Sequence, residues 1–235
     1  MLLLFLLQQV SCFLAPAPEP GMFRAAVYEH ELVLPWDCTQ RLCTRQEAIV
    51  AMEVNLRVLR EQVVEAASKG ANIILLPEDA IHGFGFSREF LWPFLEYVPS
   101  LADGSNPCLE DGDQDNWLLR ELSCAALENS IYIAADMATK VPGCEHCDNG
   151  GECFFNTLVV LDDSGRLVAV YHKFNLWTSE LGTFDIDVEG PQLVTVDTPF
   201  GRLGLAICAD LIWKSPITDL AEQEGIDTLL LPLSW

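Results

Sequence analysis

Three side chains that could act together on an amide share one kind of address in this sequence. Glu78 follows the apolar run "NIILLP", Lys173 follows "RLVAVYH", and Cys208 closes "GRLGLAIC". A carboxylate beside a thiol can take its proton and later return that proton to a leaving amine. A neighbouring ammonium lowers the thiol pKa and steadies the oxyanion of a tetrahedral intermediate. The backbone N–H of Ala209, directly after the thiol, is placed to help. Singly, each residue has a blander reading: a capping or hydrated Glu, a snorkelling Lys, and a Cys that is buried or half of a disulfide. The shared position is the signal, because ligands of open α/β sheets bind outside the carboxyl ends of the strands.

Those ends must be held by alternating strands and helices, and the pattern is readable. "FRAAVY" (Phe23 to Tyr28) opens as a strand. A long helix follows, started by a Thr44/Glu47 capping box and stopped at Gly70. Between these, Ile49, Met52, Leu56, Leu59 and Val63 recur at helical spacing. "NIILLP" is a continuously apolar strand of the kind covered on both faces. A second helix is expected from Asn116 to Glu128, then a strand "IYIAAD" from Ile131. Two further strands meet at a tight turn over Asp162 to Gly165. "QLVTVDTPFGRLGLAIC" supplies two more, Ser215 and Pro216 form an N-cap and N1 pair for a short helix ending at Gly225, and "IDTLLLP" is a last buried strand. Helices layered on sheet are the expected architecture.

The chain has 235 residues, 50% of them hydrophobic, and a formal net charge of −22. Such acidity argues against nucleic acid and against an anionic membrane surface. Residues 1–21, with an apolar core from Leu2 to Leu7 and a Pro-rich break, resemble a secretory signal peptide. No stretch is long enough to span a bilayer. Secretion makes disulfides the expected state of Cys38, Cys43, Cys108, Cys124, Cys144, Cys147 and Cys153, and because seven cannot pair completely within one chain, either one thiol is free or a partner is missing. The Cys144–His146–Cys147 group invites a zinc reading, but no second ligand pair accompanies it. A Cys–His protease is the next rival, with His30, His82, His146 and His172 as candidates; His172 faces away from Lys173 if both lie on one strand. Trp92, Trp177 and Trp213 are candidates for shaping a substrate pocket, as is His82.

"AAVYEH" (Ala25 to His30), "PEDAIHGF" (Pro77 to Phe84), "YHKFNL" (Tyr171 to Leu176) and "DTPFGRLG" (Asp197 to Gly204) are similar, in order and spacing, to the nitrilase (carbon–nitrogen hydrolase) superfamily, and within it to the branch of vanins and biotinidase. The resemblance runs from about Phe23 to Trp235. It implies a four-layer αββα sandwich over residues 22–235, incomplete at the C-terminus because the family's domain continues further. It implies Glu78 as base and acid, Lys173 as oxyanion stabiliser and Cys208 as nucleophile. Glu180 falls where the family often has a second glutamate. Ala209 departs from the aromatic residue of that branch. Vanins split pantetheine and biotinidase frees biotin from biotinyl-lysine, so the implied partner is a small amide, with no metal and no organic cofactor. The implied location is secreted or extracellular, with a lipid anchor on a longer form left open. A non-catalytic secreted binding module, or an inactive fragment, is the alternative.

Overall fold

Apolar residues at helical spacing in one half of the chain, and apolar strands in both halves, set the layering of the computed structural model, which describes residues 22–110, 114–143 and 151–234. The first half supplies β1 (Ala25–Val27), α1 (Trp36–Gln40), α2 (Arg45–Ser68), β2 (Ile73–Leu75), α3 (Arg88–Leu91) and α4 (Trp117–Asn129). The second supplies β3 (Tyr132–Pro142), β4 (Glu152–Leu161), β5 (Leu167–His172), β6 (Thr195–Thr198), β7 (Gly201–Leu205), α5 (Ile217–Asp219) and β8 (Thr228–Leu230). The signal-like segment and Cys144, His146 and Cys147 lie outside the described residues.

The strands form two sheets, one ordered β1-β2-β3-β4-β5 and the other β6-β7-β8. β1, β2 and β3 run parallel, as do β7 and β8, so the carboxyl ends of β2 and β7 can open on one side. β3, β4 and β5 form an antiparallel meander. One apolar cluster lies between the larger sheet and α2 with α4, built from Met52, Leu56, Leu59, Leu118, Leu122 and Ile133 among others. The other lies between the sheets, where Ala134, Leu158, Val160 and Tyr171 meet Leu203, Leu205, Ile207 and Leu230. On the far side of the smaller sheet, α5 and the turn Leu220–Glu224 bring Leu220 and Ile226 over β7. Gly204 permits that approach, since a Cβ there would meet Ile226 at 2.8 Å. The layers therefore run helix, sheet, sheet and one short helical segment, as the αββα expectation requires.

Local signals work as the sequence indicates, with two differences. Thr44 and Glu47 exchange both capping-box hydrogen bonds, and Gly70 takes a left-handed φ of +74° just past α2. The turn between β4 and β5 is held by Asp162 Oδ1, which accepts the Ser164 and Arg166 N–H groups at 2.9 Å. β3 runs well past the expected "IYIAAD", because its second half pairs with β4 and also bridges to Glu96. The short helix begins one residue later than expected. Pro216 is its cap residue and accepts the Leu220 N–H at 2.8 Å, while the Ser215 carbonyl accepts from Asn175.

Cys38 pairs with Cys43 and Cys108 with Cys124. Cys153 is disulfide-bonded as well, and Cys208 is the free thiol among the described residues. That removes the disulfide reading of Cys208.

Glu96, fully buried, joins three elements. Its carboxylate accepts the leading Leu118 and Leu119 N–H groups of α4 at 2.8 and 3.0 Å and pairs with Arg45 at the start of α2. Meanwhile its backbone bridges Ala138 and Lys140 of β3. Replacing it by Leu takes the carboxylate partner from the Arg45 guanidinium, which keeps its bond to the Pro93 carbonyl, and leaves two buried N–H groups unpaired. Glu96→Leu is expected to lose about 3–5 kcal/mol of stability in urea unfolding.

Candidate active site

Lys173 begins where β5 ends, and its strand register decides where it points. Ala169, Tyr171 and Lys173 alternate onto the face between the sheets, whereas His172 turns outward, stacks on Phe155 and bonds Thr157 Oγ1 through Nδ1 at 2.9 Å. Lys173 is 1% exposed. Its ammonium donates to Glu78 Oε1 at 2.6 Å and Glu180 Oε2 at 2.7 Å. Burial opposes its charge, but the two carboxylates outweigh burial and raise its pKa above the ordinary lysine value. Lys173 is therefore a permanent cation at neutral pH.

Asn156 of β4 ties the carboxylates together: its side-chain N–H₂ donates to Glu78 Oε1 at 3.1 Å and to Glu180 Oε1 at 2.8 Å. Glu180 also accepts the Trp177 N–H at 2.6 Å, which fixes the loop after β5 to the same ammonium. Neither carboxylate is a hydrated loop group.

Cys208 opens a short 3₁₀ turn, Cys208–Ile212, three residues beyond β7. Its φ is +41°, a left-handed conformation that costs a non-glycine residue on the order of 1 kcal/mol. Asp210 holds the turn. Its carboxylate accepts the Ile207 N–H at 2.9 Å, the Tyr171 hydroxyl at 2.8 Å and the Asn175 N–H at 3.0 Å. The Cys208 N–H is spent on the Pro232 carbonyl at 3.0 Å. The Ala209 N–H, as a leading group of the turn, has no intrahelical partner. Burial pushes the thiol up to about 12, the charge and hydrogen bond of Glu78 add to this, and Lys173 pulls the other way. The sulfur is therefore a thiol at neutral pH.

Glu78, Lys173, Glu180, Cys208 and Ala209 line one cavity of about 350 Å³. Trp177, Phe84, Leu211 and Ile212 form its apolar wall. Trp213 is not part of that wall; it lies just past the 3₁₀ turn and is 58% exposed. Trp92 lines a different cavity and covers the Lys140 ammonium. His82 is buried behind the site, with Nδ1 on the Gly83 carbonyl at 2.7 Å, and burial lowers its pKa to about 4. None of the described histidines hydrogen-bonds Cys208; His30 bonds Asn55 instead.

Behind Glu78, the side chains of Asp79, His82 and Asp136 each bring one ligand atom within 4.8 Å of the others, the one such group among the described residues. His82 Nδ1 and Asp136 Oδ1 are already engaged, by the Gly83 carbonyl and the Asp79 N–H. Sequence reasoning missed Asn156, Asp136 and the clamping role of Asp210. Each is a polar residue inside or beside an apolar strand, a signal that reports burial but not direction.

A carbon–nitrogen hydrolase family model matches residues 39–230. The chain is 40% identical over 217 residues to the pantetheinase of Mus musculus, covering 91% of this chain and 42% of that protein. It is 38% identical to the pantetheinase of Homo sapiens over 100% of this chain and 44% of that protein. With the biotinidase of Takifugu rubripes it shares 41% identity over 90% of this chain and 42% of that protein. It thus spans less than half the length of these relatives. Among solved structures, an amidase from Nesterenkonia sp. AN1, determined with acrylamide, has the same fold at a TM-score of 0.58. That match has 18% identity and covers 94% of this chain and 68% of the amidase. On the extent of the family match, this chain belongs to the carbon–nitrogen hydrolase family.

Proposed function

We propose that the chain is a secreted amidohydrolase that cleaves a linear secondary amide of a vitamin-like acid through a thioester on Cys208. The observation that carries this reading is the meeting of a free thiol, a carboxylate and a committed ammonium in one cavity with an apolar wall. The names of the similar proteins, pantetheinase and biotinidase, supply the substrates to try first. Residues 22–235 are read as one catalytic unit.

In this reading Glu78 takes the thiol proton as Cys208 Sγ attacks the carbonyl carbon. The resulting oxyanion is met by the Lys173 ammonium and the Ala209 N–H, since the Cys208 N–H is occupied by Pro232. Glu78 then returns the proton to the departing nitrogen, and the C–N bond breaks to leave the acyl group on sulfur. Water, deprotonated by Glu78, attacks the thioester, and the acid is released with the thiol restored. Glu180 and Asn156 hold Lys173 and Glu78 in register without touching the reacting atoms. The apolar wall suits an uncharged acyl chain, which would be desolvated on binding.

The test is release of cysteamine from pantetheine, or of lysine from biotinyl-lysine, by this chain. Release that disappears in Cys208→Ala supports the reading; a folded wild-type protein that binds these amides without cleaving them supports a binding module instead. A second expectation concerns charge. Because the Glu78 carboxylate adds to burial in disfavouring the thiolate, Glu78→Gln should lower the pH midpoint for alkylation of Cys208 while reducing amide hydrolysis by about 10²–10⁴. An unchanged midpoint would mean that Glu78 does not face the thiol.

A further inference from the structure

Glu78 reaches the cavity because the chain turns sharply at the next residue. Asp79 has a φ of +57°, a second left-handed non-glycine residue at the site beside Cys208. The Gly83 N–H closes this turn on the Asp79 carbonyl at 2.9 Å. Its other anchor comes from a different element: Asp136 of β3 accepts the Asp79 N–H on Oδ1 at 2.9 Å. Asp136 is 1% exposed, and its Oδ2 has no hydrogen-bond partner.

We propose that Asp136 is a positioning residue for Glu78: it grips the Asp79 amide, fixes the left-handed turn that aims Glu78 at Lys173 and Cys208, and does so as the neutral acid. The proposal rests on the reading of Glu78 as the proton carrier.

The charge balance of the cluster argues for the neutral form. Glu78 and Asp79 from the turn after β2, His82, Lys173 from the end of β5 and Glu180 from the following loop all face Asp136. Four carboxylates thus surround one ammonium, and that ammonium is already shared by Glu78 and Glu180. An ionised Asp136 would add a buried charge with no partner, a cost of several kcal/mol that a proton removes. A neutral carboxyl still offers Oδ1 to the Asp79 N–H, and leaving its other oxygen unpaired is far cheaper than leaving an anion so. Burial, reinforced by the Glu78 charge, accordingly holds Asp136 well above the ordinary aspartate range, and Asp79 is raised likewise.

Two variants separate grip from charge. Asp136→Asn keeps an acceptor oxygen and no charge; Asp136→Leu removes the acceptor at similar volume. The readouts are the pH midpoint of Cys208 alkylation, kcat and KM for the cleaved amide, and thermal stability against pH. Asp136→Asn should retain the wild-type midpoint and kcat. Asp136→Leu should shift the midpoint in the same direction as Glu78→Gln and lower kcat about tenfold to a hundredfold with KM unchanged. The unfolded chain releases the Asp136 proton near 3.8 while the folded chain keeps it, so the wild type should lose stability relative to Asp136→Asn as pH rises above that value. Should the Leu variant not fold, Asp136→Ala, which also removes the acceptor, is read in its place. A Leu variant with wild-type midpoint and kcat would overturn the positioning role. An Asn variant as impaired as Leu, a flat stability difference, or a chelator-sensitive midpoint would overturn the neutral acid. If the wild type cleaves no amide, the functional reading fails, and the midpoints still judge Asp136.

Discussion

The site depends on one buried ammonium shared between two carboxylates. Lys173 lies just past the end of β5 with almost no contact with water, and a lone cation there would cost several kcal/mol. Glu78 and Glu180 offset that cost, and each is in turn held by Asn156. This fixes the three groups to three separate segments: the turn after β2, the end of β5 and the loop beyond it. Remove the ammonium and two carboxylates face each other in an apolar interior. The same arrangement bears on the thiol, because burial, reinforced by the nearby Glu78 carboxylate, keeps Cys208 protonated.

Backbone strain supplies the aim. Asp79 and Cys208 are two of the three non-glycine residues with positive φ among the described residues, and both flank the cavity. Such residues persist only where the surroundings over-determine them. Asp136 and Gly83 pin the first; Asp210, reaching Ile207, Tyr171 and Asn175, pins the second. The parallel pairs β1–β2–β3 and β7–β8 bring these turns to one edge of the sandwich, and the inter-sheet core of Leu158, Val160, Tyr171 and Leu205 keeps the sheets in place.

Glu78, Lys173 and Cys208 were legible in the sequence because all three follow apolar strands, so topology alone brings them together. The capping box at Thr44 and the Asp162 turn were legible because their determinants are local. Asn156 and Asp136 were not. They lie on the same strand faces as Val160 and Ala134, and only the register that sets Asn156 opposite Ala138 turns them toward the site. Glu180 was singled out only by the family resemblance, since its burial follows from a contact with Lys173 that no local pattern encodes. Trp213 failed as a pocket residue for the converse reason: one position beyond the 3₁₀ turn, the side chain has already left the cavity wall.

The proposed reaction requires a covalent bond between Cys208 and the acyl half of the substrate. The most direct measurement is intact-mass and peptide mass spectrometry of protein quenched in acid during turnover of pantetheine or biotinyl-lysine. An acyl adduct on the peptide containing Cys208, which is lost on dilution into buffer at neutral pH, is the predicted result. Turnover with no adduct on Cys208, or an adduct carried by another residue, would contradict it.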